Sequence, residues 1–334
     1  MSALAVATNA INLGQGFPDT DGPSSVARAA VEAIMSGHGN QYPPGPGIPE
    51  LLRAVAHHQR TQYDIDLDAD REVLITAGAT EAIAAAMLAL VDQGDEVIAL
   101  EPFYDSYRAT ITMARGRCIP LRLDAPEFRL SESKLNAAIT DRTKIILLNS
   151  PHNPTGAVLS MAELEMMARA AIDHDLLVVT DEVYEHLAFD APHIPIATLP
   201  GMRSRTLTIS SSGKTFSFTG WKVGWATGPS ELVDAVRTTK QFLTFVSAGP
   251  FQYAIAHALT HELAWVDTLR SSLAQRRDLL TDGLANLGMT AYRPLGTYFV
   301  TTDVAPLGWS SGLQFCRELP ERAGVVAVPC SVFY

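Results

Sequence analysis

EVLITAGATEAIAAAMLALVDQGDEVIAL, residues 72–100, places two short apolar runs on either side of a helical pattern. The runs EVLIT (72–76) and EVIAL (96–100) have the length and β-branched content of buried strands. The segment between them, 79–91, has helical spacing. A strand, a helix and a second strand in this order favour a parallel sheet.

The same alternation continues along the chain. Further strand-like runs are KIILLN (144–149), LLVVT (176–180), TLTIS (206–210) and VGWAT (223–227), with helical patterns at 104–115 and 160–173. Apolar strands that alternate with helices predict a mainly parallel sheet covered on both faces. The predicted fold class is therefore α/β, a three-layer sandwich.

The pattern changes near residue 260, which indicates a second and smaller unit. A long helical pattern at about 262–287 is followed by strand-like YFVTT (298–302), a helix near 312–322 and VVAV (325–328). We predict a large domain of residues 36–261 and a small α+β domain of residues 1–35 and 262–334. Because the chain ends at Tyr334, directly after a strand and a turn, we expect the small domain to be incomplete at its C-terminus.

Composition and charge exclude several classes of function. The chain has 334 residues and a formal net charge of −11, and no run of Lys or Arg provides a footprint for nucleic acid. The longest apolar stretch, 82–91, is too short to span a bilayer, so we expect no membrane association. The 3 cysteines are widely spaced, which is typical of reduced thiols in a cytoplasmic protein rather than of a metal site.

Candidate site residues follow the first five of the six predicted strands, where ligands of open parallel sheets collect. They are Gly78, Ala79 and Thr80, then Glu101 to Tyr104, Asn149 and Asn153, Asp181 and Tyr184, and Ser211 to Lys214. Hydroxyls, amides, a carboxylate, aromatic rings and an amine around one crevice suit a flat, phosphorylated, cationic heteroaromatic ring. A dinucleotide site fits less well, because no GxGxxG follows any of these strands.

Six sets of motifs, in order, give these residues a family context. They are GQGFPD (14–19), NQYPPGPG (40–47), TAGATEAI (76–83), EPFYDSY (101–107), NSPHNPTG (149–156) with VVTDEVYEHLAF (178–189), and SSSGKTFSFTGWKVGW (210–225). From about residue 11 to residue 334 the chain resembles the class I aminotransferases of fold type I. The subgroup that it most resembles contains the N-succinyldiaminopimelate and the kynurenine/glutamine aminotransferases.

The resemblance implies pyridoxal 5′-phosphate as cofactor and Lys214 as the lysine that holds it as a Schiff base. Lys214 lies in a Ser/Gly turn after a buried strand, where a ligand can approach closely. Asp181 ends an apolar strand, where a buried carboxylate needs a cationic partner. The protonated ring nitrogen of the cofactor supplies such a partner.

The resemblance also implies the other contacts. Asn153 and Tyr184 bind the phenolic oxygen of the ring, and Tyr104 stacks on it. The phosphate group is bound by Gly78, Ala79, Thr80, Ser211 and Lys222. Tyr42 reaches the phosphate from a second subunit, which makes the expected enzyme a homodimer with shared active sites.

For the substrate carboxylate, the resemblance implies fewer contacts within this chain than it does for the cofactor. The backbone of Gly16 is expected to contribute one, and Asn149 either contributes another or holds the PHNPTG turn. The family's bidentate arginine lies in the small domain beyond the point where this chain ends, and we transfer its role to neither Arg317 nor Arg322.

The predicted reaction is transfer of an amino group from an amino acid, with glutamate as the expected donor, to a 2-oxo acid. The motifs favour N-succinyldiaminopimelate aminotransferase of lysine biosynthesis. Kynurenine, glutamine or methionine aminotransferase and cysteine-conjugate β-lyase remain alternatives, since they need the same residues. A regulator that carries an aminotransferase-like domain fits poorly, because no basic helix-turn-helix pattern precedes the fold.

Overall fold

A computed structural model of the chain describes residues 2–17 and 19–334. Its strands are β1 (Ile11–Asn12), β2 (Val73–Thr76), β3 (Glu96–Glu101), β4 (Arg117–Arg122), β5 (Thr143–Asn149), β6 (Leu177–Asp181), β7 (Thr206–Ser211), β8 (Gly224–Thr227), β9 (Thr290–Tyr292), β10 (Thr301–Asp303) and β11 (Val325–Val326). Its helices are α1 (Ser2–Thr8), α2 (Ser24–Ser36), α3 (Pro49–Tyr63), α4 (Gly78–Leu90), α5 (Ser106–Met113), α6 (Glu132–Ala138), α7 (Met161–Asp173), α8 (Ser212–Thr215), α9 (Ser230–Lys240), α10 (Gly249–His261), α11 (Leu263–Asn286) and α12 (Gly312–Ala323).

Within the described residues, seven strands form one sheet in the order β2-β8-β7-β6-β5-β3-β4. Strands β3 to β7 pair in parallel, and β8 pairs antiparallel with both β7 and β2. The predicted mainly parallel sheet is confirmed. The sequence did not predict β4 (RCIPLR), because this edge strand is largely exposed and lacks a continuous apolar run.

Helices cover both faces of the sheet, and the side chains of β3 show how. Val97 and Ala99 are buried against α4 and α5, whereas Ile98 and Leu100 are buried against α6 and α7 on the opposite face. Successive side chains of a strand point to opposite faces, so a strand buried on both faces must be apolar throughout. The three-layer arrangement is confirmed.

The remaining strands form two small sheets. β1 pairs in parallel with β11, and β9 pairs antiparallel with β10. Helix α2 packs against α3 and α10, because its residues Val26 and Ala30 are buried with residues of those two helices. The division into residues 36–261 and residues 1–35 with 262–334 stays a prediction.

In the part of the chain that the structure describes, no helix combines the length and the apolar character needed to cross a membrane.

Candidate active site

A cavity of about 310 Å³ lies at the carboxyl ends of the central strands. It is lined by Gly16, Gly78, Ala79, Thr80, Ile83, Tyr104, Tyr107, Asn149, Asn153, Asp181, Val183, Tyr184, Ser211, Gly213, Lys214, Thr219, Lys222, Val223 and Phe299. Each residue predicted for the site, apart from Tyr42, is on this wall. Pro18 of the GQGFPD motif lies outside the described residues.

Strand register explains why these side chains meet. Asn149 ends β5 and is paired with Asp181, which ends β6. Asp181 is in turn paired with Ile209 of β7, and Ser211 ends that strand two residues later. Parallel strands that end in register place polar residues, far apart in sequence, side by side at one edge of the sheet.

Lys214 lies in α8, the short helix directly after β7, and its amine points into the cavity. The Nζ atom donates to the carbonyl oxygen of Gly16 at 2.6 Å and to Oη of Tyr298 at 2.7 Å. Burial lowers the pKa of the Lys214 amine to about 8, against the opposing effect of the Asp181 carboxylate, and Lys222 lowers it further. At pH 7 about a tenth of such amines are neutral and nucleophilic.

Asp181 is 5% exposed and faces the cavity from the end of β6. Tyr107 donates from Oη to its Oδ2 at 2.7 Å, and the backbone N–H of Val183 donates to Oδ1 at 3.3 Å. Burial raises the pKa of Asp181 to about 6, although Tyr107, Val183 and the Lys214 amine each oppose this rise. Because the carboxylate lacks full compensation, a cation placed beside it in the cavity would be strongly favoured.

The start of α4 and the side chain of Lys222 form a basic cradle on the wall of the cavity. Gly78 begins α4 with φ +74, and a Cβ atom there would lie 3.1 Å from Nζ of Lys222. Ala77, the residue before the helix, has no side-chain oxygen that could cap its first N–H groups. A helix N-terminus with a lysine beside it, and with the hydroxyls of Thr80 and Ser211 on the same wall, is suited to bind a phosphate group.

The family model of aminotransferase class I and II matches residues 8–334. The chain belongs to the class I and II aminotransferases. Over its whole length it is 52% identical to a Mycobacterium tuberculosis protein described as a probable N-succinyldiaminopimelate aminotransferase, of which it covers 84%. It is 38% identical to the methionine aminotransferase of Escherichia coli, with 100% of this chain and 86% of that protein covered.

A solved structure gives the same result. The structure of N-succinyldiaminopimelate aminotransferase from Mycobacterium tuberculosis superimposes with a TM-score of 0.98 at 51% identity, and the match covers 100% of this chain and 88% of that chain. The predicted family, fold and enzyme class are therefore confirmed. The class I family is one of enzymes that depend on pyridoxal phosphate.

The turn after β5 in this aminotransferase is held by Asn149. Its Nδ2 donates to the backbone oxygen of Asp181 at 2.8 Å, and its Oδ1 accepts from the backbone N–H of Asn153 at 2.7 Å. Both ends of the Asn149 amide are therefore engaged with backbone. These contacts favour the turn role, one of the two that the sequence left open.

His152, in the same turn, makes the stability of the aminotransferase pH-dependent. Burial lowers its pKa to about 4, and the backbone oxygen of Leu100 offsets this only in part. The unfolded chain binds a proton at this histidine below about pH 6.5. Stability is therefore lost as pH falls from about 6.5 toward 4, and at pH 5 the loss is about 2 kcal/mol.

Urea unfolding at pH 7 and pH 5 measures this effect. We expect His152→Gln to lose about 2 kcal/mol less than wild type between the two pH values. His174 is exposed, and its replacement by glutamine controls for the loss of a histidine. Equal losses in wild type and His152→Gln would contradict the assignment.

Sequence reasoning missed two tyrosines of the site. Tyr107 lies on α5 and bonds to Asp181, and Tyr298 bonds to Lys214 from a segment that the sequence assigned to a strand. Tyr107 follows Tyr104 by three residues in the predicted helical pattern 104–115, which was an available signal, although α5 begins only at Ser106. No local pattern marks Tyr298, because its contact joins residues 84 positions apart in the chain.

Tyr42 lies apart from the cavity in this subunit. Its side chain is 82% exposed, and its ring meets that of Phe245 edge-on with centroids 5.6 Å apart. Phe245 and its neighbour Phe242 are exposed as well. These apolar rings form a surface at the loop that carries Tyr42.

A buried polar cluster lies outside the cavity. His58, Glu185 and His186 have ligand atoms within 4.8 Å of one another, a spacing that could hold a metal ion. However, Glu185 accepts hydrogen bonds from Tyr63 at 2.7 Å and from Ser210 at 2.5 Å, and Nε2 of His58 lies 2.8 Å from Nε2 of His186. These hydrogen bonds engage the same atoms, so we assign the cluster a structural role.

Proposed function

We propose that this aminotransferase binds pyridoxal 5′-phosphate in the cavity, with its phosphate in the basic cradle and its ring nitrogen beside Asp181. The observation that carries the proposal is the set of groups that line one cavity: Gly78 at the start of α4 with Lys222 beside it, the amine of Lys214 and the buried carboxylate of Asp181. When bound, the cofactor supplies an electron sink for the bonding pair of the substrate α-carbon.

The remaining residues of the cavity provide the other contacts to the cofactor in this proposal. Asn153 and Tyr184 contact the phenolic oxygen, and the ring of Tyr104 stacks on the cofactor. The phosphate takes hydrogen bonds from Gly78, Ala79, Thr80, Ser211 and Lys222. The buried Tyr184 hydroxyl has a pKa well above its ordinary value because of burial, so it acts as a neutral hydrogen-bond donor.

Lys214 has two tasks in this scheme, attachment of the cofactor and proton transfer. Its amine, with a pKa of about 8, is partly neutral near neutral pH and can bond to the aldehyde of the cofactor. With cofactor and substrate bound, the same amine would be placed to accept a proton from the substrate α-carbon and to return it later in the reaction. The carboxylate of Asp181 remains ionised beside the positive ring nitrogen during these steps.

We further propose that the enzyme forms N-succinyldiaminopimelate by transfer of an amino group from glutamate. The 52% identity to the Mycobacterium tuberculosis protein of that name supports this substrate over methionine, since the identity to the Escherichia coli methionine enzyme is 38%. Methionine or kynurenine transamination and β-elimination of cysteine conjugates would use the same proposed lysine and carboxylate.

A panel of donors and acceptors separates these reactions. We expect kcat/KM for N-succinyldiaminopimelate with 2-oxoglutarate to exceed that for methionine or kynurenine by about 10-fold to 200-fold, the range that side-chain pockets provide. The absorption change of the cofactor follows each half-reaction. A higher kcat/KM for kynurenine or methionine, or release of pyruvate and ammonia without an acceptor, would replace this substrate assignment and leave the cofactor proposal intact.

We propose a homodimer in which Tyr42 of one subunit completes the phosphate site of the other. The exposed rings of Tyr42, Phe242 and Phe245 support an apolar contact at this loop. Gly16 as a contact of the substrate carboxylate is likewise a proposal, and the cytoplasmic location stays a prediction.

A further inference from the structure

Two polar groups accept hydrogen bonds from the amine of Lys214, and one of them, the hydroxyl of Tyr298, has no role so far. Nζ donates to the Gly16 carbonyl oxygen at 2.6 Å and to the Tyr298 hydroxyl at 2.7 Å. The Tyr298 hydroxyl itself donates to the same Gly16 oxygen. The three groups form a closed triangle of hydrogen bonds that joins the N-terminal segment, α8 and the segment before β10.

The Tyr298 ring is held firmly enough to place its hydroxyl. It meets the rings of Tyr184 and Phe299 edge-on, with centroids 5.4 and 4.8 Å apart. The Tyr184 hydroxyl also lies 3.5 Å from that of Tyr298. Packing of this kind fixes the direction in which a phenol can exchange hydrogen bonds.

A phenol is suited to hold an amine that changes its charge. An ammonium group only donates hydrogen bonds, whereas a neutral amine also offers a lone pair, and a phenol can accept from the first and donate to the second. Burial raises the pKa of Tyr298 far above its ordinary value, so this hydroxyl keeps its proton and is not itself a base.

We propose that Tyr298 is a positioning residue of transamination, whose hydroxyl holds the Lys214 amine against Gly16 in both of the amine's protonation states. The inference rests on the proposed function of Lys214 as the proton carrier. To carry a proton the amine would have to keep a defined position in the cavity, and the triangle of hydrogen bonds would provide one. Without the hydroxyl, Nζ keeps one partner and explores more orientations, so fewer encounters lead to proton transfer.

Tyr298→Phe tests this inference, with Tyr292→Phe as the matched control. Tyr292 also lies near the C-terminal part of the chain, but its ring packs edge-on against Phe128, away from the cavity wall. For Tyr298→Phe we expect kcat to fall about 10-fold to 100-fold, as for loss of a charge-assisted hydrogen bond at a proton-transfer step. KM should change less than about 3-fold, since the hydroxyl contacts the amine and not the substrate.

A second readout does not depend on turnover. After removal of the cofactor, the pH dependence of Lys214 acylation, followed by mass spectrometry of its peptide, reports the pKa of the amine. The other charged groups that face Nζ are Asp181 and Lys222, and the rings of Tyr184 and Tyr298 lie 5.8 and 5.4 Å from it. The hydrogen bond that the hydroxyl accepts from the charged amine is stronger than the one it donates to the neutral amine. We therefore expect Tyr298→Phe to lower this pKa, while Tyr292→Phe leaves it as in wild type.

The outcomes are distinct. Wild-type kcat in Tyr298→Phe overturns the inference, and so does a loss of kcat with an unchanged titration of Lys214, which indicates a packing defect. If Lys214→Ala still transaminates, the proposed function fails as well. If Lys214→Ala is inactive and Tyr298→Phe behaves as wild type, only the role of Tyr298 is lost.

Discussion

Replacing Lys214 with alanine is expected to abolish transamination, with kcat reduced by at least about 10⁴-fold. The variant lacks the amine that carries the proton and the amine that bonds to the cofactor. Among the described residues that line the cavity, the other lysine is Lys222, and its amine lies beside Gly78 and is not expected to take over these tasks. Absorbance spectroscopy should show that the spectrum of the covalently attached cofactor is missing.

Two comparisons sharpen the Lys214 result. Lys214→Arg keeps a positive charge but cannot be deprotonated, so it should be as inactive as the alanine variant. Lys134 is a surface residue that pairs with Asp124, and Lys134→Ala should retain wild-type kcat. Borohydride reduction of the wild-type enzyme followed by peptide mapping gives the direct test. A label on any other lysine, or turnover in Lys214→Ala, would refute the assignment.

Most of the candidate site could be predicted from the sequence because its residues follow strands that are easy to recognise. β5, β6 and β7 are buried on both faces: β5 and β6 contain apolar runs, β7 alternates threonine with Leu207 and Ile209, and each strand ends at a polar residue. The ends of such runs can be recognised locally, and parallel pairing then brings Asn149, Asp181 and Ser211 to one edge. Helix α7 likewise begins where the helical pattern 160–173 predicts, and Ser160 and Glu163 form a capping box at its start.

What the sequence could not provide depends on contacts between distant segments. YFVTT, predicted as a strand at 298–302, pairs only from Thr301, because Tyr298 and Phe299 turn toward Tyr184 and the cavity instead of a neighbouring strand. Strand β11 lies within VVAV (325–328), which the sequence predicted, but its partner β1 has only two residues and no periodicity to detect, so the pairing of the two was not predicted. The hydrogen bonds of Tyr107 to Asp181 and of Tyr298 to Lys214 in the structure identify these two hydroxyls as groups of the site.

Asp181→Asn should lower the activity of the enzyme but raise the stability of the cofactor-free protein. Removing the negative charge beside the ring nitrogen is expected to lower kcat about 100-fold to 1,000-fold, the size of effect found for other groups that stabilise charge in the transition state. Tyr107→Phe removes one hydrogen bond to the same carboxylate and should cost about 3-fold to 10-fold. Steady-state kinetics with cofactor in excess measures both variants.

The stability of the cofactor-free protein should change the other way. The pKa of Asp181 is about 6 in the folded chain and about 3.9 when unfolded, so the folded state holds a proton between these values that the unfolded state has lost. Stability therefore falls as pH rises from about 4 through 6, by about 3 kcal/mol in total. Asparagine does not ionise, and Asp181→Asn should be more stable than wild type at pH 8 by up to this amount.

Urea unfolding of both proteins at pH 8 and pH 4, without cofactor, tests the prediction. The difference between them should shrink toward zero at pH 4, where the wild-type carboxyl is protonated in the folded state. A variant that is less stable at pH 8 would mean that the ionised carboxylate is satisfied by Tyr107 and Val183 alone. In that case Asp181 would need no cation, and the reason for placing the ring nitrogen beside it would disappear.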